Sequence, residues 1–60
     1  MKVYILYVSY LLGNIVEVLG VYATEEAAKA EIPKFYIEEK GRYEIYGEQA
    51  LLYVKPYEVQ

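Results

Sequence analysis

Residues 3–8 read V-Y-I-L-Y-V, six successive apolar side chains with no polar residue on either parity. A run this dense in β-branched and aromatic residues packs on a pleated surface and poorly on a helix, which predicts a strand over residues 2–10. Residues 15–22, I-V-E-V-L-G-V-Y, have the same character. Between them Gly13-Asn14 supplies the positive φ of a two-residue hairpin turn. That turn pairs Tyr10 with Glu17, Val8 with Leu19 and Leu6 with Val21. The opposite face then carries Val3, Ile5 and Tyr7 beside Val16, Val18 and Tyr22, so the hairpin is apolar on both sides.

Thr24 precedes E-E-A-A-K-A-E, an N-cap followed by acidic residues in the first turn, and a helix is expected from Glu25. Ala28, Ile32, Phe35 and Tyr36 fall on one buried stripe. Pro33 interrupts it, so the helix kinks there or ends and restarts as a short turn, and Gly41 is the expected stop. After Gly41 the period returns to two. Pairing about Gly47-Glu48 sets Tyr43, Ile45, Ala50, Leu52 and Val54 on one face and leaves Arg42, Glu44, Tyr46, Gln49 and Tyr53 mostly on the other. Pro56 ends the strand or lies at a sheet edge.

These elements predict an α+β fold, one domain over residues 1–60, in the order ββαββ, with an antiparallel sheet and one helix packed on one face. The helix covers the side with Leu6, Val8, Leu19 and Val21. The second face is expected to serve dimerisation through Val3, Ile5, Tyr7, Val16, Val18 and Tyr22, because an apolar patch of that size exceeds what monomers tolerate. The alternative cover is the chain after Pro33 or the C-terminal strands.

Composition strengthens the case for self-association. Sixty residues are few for a self-sufficient core, and the chain has no Cys, no His and no Asp, which removes disulfides, common zinc sites and EF-hand loops together. Oligomerisation is the stabilising device that remains. A net charge of −3 opposes general attraction to nucleic acid or anionic lipid and favours a basic protein partner. The apolar run at residues 3–8 is too short to span a membrane and lacks the flanks of a signal peptide, so a cytoplasmic protein is expected.

Candidate chemistry is sparse. Ser9 lies in a strand with no candidate base near it in sequence, Thr24 is better explained as a helix cap, Glu25-Glu26 and Glu38-Glu39 are adjacent pairs that point apart on a helix, and no phosphate-binding glycine motif occurs. No enzyme activity, cofactor or metal is expected. Nine Tyr are better suited to a binding surface, since Tyr gives large contact area with a polar tip. The competing reading is nucleic-acid or nucleotide binding with Tyr as stacking platforms. It is weakened by the scatter of Lys2, Lys29, Lys34, Lys40, Arg42 and Lys55. A structural subunit of a larger assembly is a third reading.

The opening K-V-Y strand and the junction G-V-Y-A-T-E-E-A-A, of the form G-x-Y-x-[ST]-x-E-x-A, resemble a family of very small uncharacterised domains common in phages and bacteria. The resemblance covers the first half of the chain. It implies a ββαβ-type fold and no established activity. By similarity of style to small acidic phage proteins, it also implies a host-protein-binding inhibitor of bacterial defence, acting in the host cytoplasm.

Overall fold

A strand with two apolar faces and no charged side chain in its middle belongs inside a sheet, and the computed structural model, which describes residues 1–60, places it there. Strand β1 (Lys2–Tyr10) lies between β2 (Val16–Tyr22) and β5 (Glu48–Glu58), with β4 (Arg42–Ile45) and β3 (Tyr36–Ile37) beyond β5. The sheet order is β2-β1-β5-β4-β3, and every neighbouring pair is antiparallel. A single helix, α1 (Glu25–Lys29), packs against β1, β2 and β5. The fold is α+β. Its element order departs from ββαββ by the two-residue strand β3.

The first hairpin turns more widely than the Gly13-Asn14 pair alone would do. Tyr10 N–H donates to the Ile15 carbonyl at 2.9 Å, which encloses Leu11, Leu12, Gly13 and Asn14, the last two with φ of 93° and 53°. Near the loop Ser9 pairs with Val16, Val8 with Glu17 and Tyr7 with Val18. Beyond a bulge Leu6 pairs with Gly20, Ile5 with Val21 and Tyr4 with Tyr22. Leu19 is the extra residue. None of the expected pairs Tyr10–Glu17, Val8–Leu19 and Leu6–Val21 forms: the four-residue loop displaces the register by two, which sets Val8 against Glu17, and the bulge then changes it by one, which sets Leu6 against Gly20. One inserted residue exchanges faces for everything beyond it, so Gly20 and Tyr22 join Leu6 on the helix side and Val21 moves to the other. A Cβ on Gly20 would stand 2.7 Å from the Tyr22 hydroxyl, so the missing side chain is what lets that ring lie along β2.

Thr24 caps α1 as its position predicts, its Oγ1 accepting from Ala27 N–H at 3.1 Å. The helix ends after five residues, and Pro33 sits in the first turn of a separate 3-10 turn (Ile32–Phe35), where the donor it lacks is not needed. Of the predicted stripe, Ala28 is fully buried, Ile32 and Phe35 are half-buried, and Tyr36 is exposed on β3. Gly41 does not stop a helix. With φ of 66° and its N–H on the Ile37 carbonyl at 2.8 Å, it turns β3 into β4.

The second hairpin turns at Tyr46-Gly47, one residue earlier than expected, with φ of 55° and 76°. Positive φ at both central residues is the primed turn that fits sheet twist. The shift in pairing is two residues, so Ile45, Ala50, Leu52 and Val54 keep their shared face. Tyr46 is a poor choice for a left-handed position. Tyr46→Asn is expected to stabilise the fold by about 1 kcal/mol, a rise in melting temperature of about 4–8 °C for a domain this small. A lowered or unchanged melting temperature by circular dichroism would contradict the strain.

Strand β5 runs through Pro56 instead of ending there. Val59 N–H donates to Met1 O and Leu11 N–H to Gln49 O, which places the hydrogen-bonded pairs of the β1–β5 ladder at odd positions of β1. Tyr4–Pro56 is thus a non-bonded pair, and the side of Pro56 that lacks a donor faces away from β1, beyond the reach of β4.

The core lies between α1, the 3-10 turn and one side of the sheet. Leu6, Val8 and Tyr10 are buried with Ala28, Ile45 and Ala50, and Leu19, Phe35 and Leu52 pack against them. Only seven of sixty residues are buried, so one thin layer carries the whole interior.

Candidate interaction surface

The side of the sheet away from α1 has no cover. Following the pairing outward from β1, Val3 stands beside Tyr57, Ile5 beside Val21 and Lys55, Tyr7 beside Val18 and Tyr53, and Ser9 beside Val16 and Leu51. Opposed residues share a face, so these side chains form one continuous surface. Val3, Ile5 and Tyr7 are half-buried by their neighbours alone, whereas Val16, Val18, Val21, Leu51 and Tyr57 are exposed.

Five of the six residues expected at the dimer interface, Val3, Ile5, Tyr7, Val16 and Val18, are brought together here. Tyr22 is not among them. The bulge at Leu19 turns it to the helix side, opposite Tyr4, and puts Val21 in its place. Sequence reasoning from the first hairpin also missed Leu51, Tyr53 and Tyr57, because it did not place β5 beside β1. The alternation of Ala50, Leu52 and Val54 with Leu51 and Tyr53 was the available signal.

At the middle of the face Tyr7 and Tyr53 stack across the two strands, ring centroids 5.3 Å apart and planes 19° from parallel. Lys55 Nζ lies 5.7 Å from the Tyr53 ring centroid. An offset aromatic pair fixes both rotamers before any partner arrives, which lowers the entropy cost of binding. The molecule is a slab of 40 by 23 by 12 Å.

The helix side holds a cleft of about 400 Å3 lined chiefly by Leu6, Leu19, Tyr22, Phe35, Ile45 and Tyr46. Glu31 and Glu44 complete its wall. Glu31 is paired with Lys34. The Glu44 side chain is 7% exposed and takes Arg42 Nε on one oxygen at 2.6 Å and Lys40 Nζ on the other at 3.1 Å. The Arg42 bond first, then that of Lys40, holds its carboxyl below the usual glutamate value of 4.5.

A lowered folded-state pKa means stability that is present above the unfolded value and lost as pH falls through the folded one. Glu44→Gln is therefore expected to be less stable than the parent at pH 7 and to lose less on acidification below about pH 4.5. Denaturant melts at a series of pH values read both effects. Parallel curves for the two chains would contradict the assignment.

No group of three or more His, Cys, Asp or Glu stands close enough to hold a metal ion. No helix is long and apolar enough to cross a membrane. The family model described as Domain of unknown function (DUF7336) matches residues 1–60. No curated protein and no solved structure matches the chain.

Proposed function

We propose that this chain, which belongs to the Domain of unknown function (DUF7336) family, is a homodimeric protein-binding module whose open sheet face is the self-association surface. The observation that carries the reading is the pre-stacked Tyr7–Tyr53 pair set among exposed aliphatic side chains on β1, β2 and β5. Such a face buries apolar area without ordering new segments, and the thin core on the other side has few other sources of stability. Sedimentation velocity at micromolar concentration tests it. A dimer of the 7.0 kDa chain is expected, and a strictly monomeric species would sink the reading.

The resemblance to small acidic domains of phages and bacteria, together with the net charge of −3, supports a phage-encoded inhibitor that acts in the host cytoplasm on a bacterial defence protein with a basic surface. Expression of the chain in defended bacterial strains should restore plaque formation by a phage those strains restrict. Unchanged plating across the strains would count against it.

A second reading, single-stranded nucleic acid stacked on the sheet, takes support from the same two rings and from Lys55 beside Tyr53. Binding of a fluorescent oligonucleotide that weakens steeply with added salt would favour it over a protein partner.

A further inference from the structure

The end of the sheet where the two hairpins turn lies beyond the open face, which ends at Ser9, Val16 and Leu51. Leu11, Leu12 and Ile15 are exposed in the first loop, Leu12 at 76%, and Tyr46 in the second turn is 89% exposed. Turn positions ordinarily hold Gly, Asn, Asp or Ser, so large apolar side chains there run against local chemistry. Tyr46 adds a left-handed backbone to that cost, and backbone strain of this kind collects at functional sites. The loops are held side by side, with Leu11 N–H on the Gln49 carbonyl at 3.2 Å and Tyr10 paired with Ala50.

The charges around this end have one sign. No Lys or Arg occurs between Lys2 and Lys29 or between Arg42 and Lys55, while Glu17 and Glu48 border the two turns. Glu17, opposite Val8, and Glu48, two residues before the Ala50 that pairs with Tyr10, lie on the face of the sheet that carries Tyr10, whose phenol is pushed up by burial first and then by Glu17, Tyr46 and Glu48.

We propose that this end docks into an apolar pocket rimmed by lysine or arginine on a partner protein, with Leu12 and Tyr46 as the anchors and Glu17 and Glu48 facing the basic rim. The inference rests on the protein-binding reading above and not on the dimer. Apolar anchors inside an oppositely charged rim are the usual anatomy of a protein interface. An acidic rim is repelled by anionic lipid, which sets a membrane aside as the occupant.

The test places the photo-cross-linker p-benzoylphenylalanine at Leu12 and, as a control on α1, at Lys29, irradiates each full chain in bacterial lysate, and maps the joined peptides by mass spectrometry. Adducts from position 12 alone, on a peptide with basic residues flanking apolar ones, are expected. Yield should fall about tenfold with Glu17→Lys and Glu48→Lys together, and likewise in about 0.5 M salt, where screening lengths shrink to a few Å. Tyr46→Asn should lower it similarly while raising the melting temperature, which separates binding from folding. Equal adducts from both positions, yield unmoved by charge reversal, cross-links to a second copy, flotation with phosphatidylglycerol vesicles, or no adduct would each overturn the proposal. Sedimentation of the same samples separates the two readings: a monomer that still cross-links removes the dimer alone, and a dimer without adducts removes the docking end alone.

Discussion

Tyr7→Glu is expected to sediment as a monomer at concentrations where the parent chain is a dimer. Tyr7 stands mid-strand on β1 with Tyr53 on one side and Val18 on the other. In a two-fold dimer every central substitution occurs twice, so two carboxylates would enter one apolar interface without partners. Leaving a charge buried and unpaired costs several kcal/mol, and the Tyr7–Tyr53 stack is lost with it. A weakening on the order of a thousandfold in Kd follows from about 4 kcal/mol. The far-ultraviolet circular dichroism should stay that of a folded chain, because the buried layer is on the opposite side of the sheet. Val18→Lys, on an exposed position of the edge strand, checks the result with every residue of β1 unchanged. Dimeric mass for both variants would show that association uses another surface.

Leu6→Ala is expected to remove most of the stability of the fold. Leu6 is 1% exposed, between Gly20 on β2 and Val54 on β5. Neither neighbour can move in to fill the space, one having no side chain and the other being held in the β1–β5 ladder. A buried Leu→Ala change costs about 2–5 kcal/mol, against about 3–9 kcal/mol of total stability for sixty residues at the usual value per residue. The melting temperature should drop by at least about 10 °C, and under the proposed self-association both chains should melt higher as protein concentration rises, with the gap between them kept. Leu12→Ala, in an exposed loop, should stay within about 0.5 kcal/mol of the parent. A Leu6→Ala chain that melts like the parent would contradict the placement of the core.

The two-faced character of β1 was legible because its apolar run has no polar residue on either parity, so no register error could hide it. The position of Tyr22 was not legible. It depended on a bulge at Leu19, and nothing in V-L-G-V distinguishes a bulged ladder from a regular one except the neighbouring glycine. The helix stripe read correctly at Ala28, Ile32 and Phe35 but continued one residue too far. Pro33 had already broken the ladder, and Tyr36 pairs with Tyr43 in a short strand instead. The Tyr46-Gly47 turn was misplaced by one residue because Tyr in a left-handed conformation is the less expected choice beside Glu48. The apolar residues on both parities of 50–54 mark β5 as a two-faced strand, but which strand it lies beside leaves no local mark, since β1 and β5 are distant in sequence. Strand β5 supplies Leu51, Tyr53 and Tyr57, about a third of the apolar residues of the open face.

The most direct test of self-association through that face is an isotope-filtered nuclear Overhauser experiment on a mixture of labelled and unlabelled copies. Intermolecular contacts among Tyr7, Val18, Leu51 and Tyr53 are expected. Contacts confined to other residues, or none at concentrations where the mass is that of two chains, would contradict it.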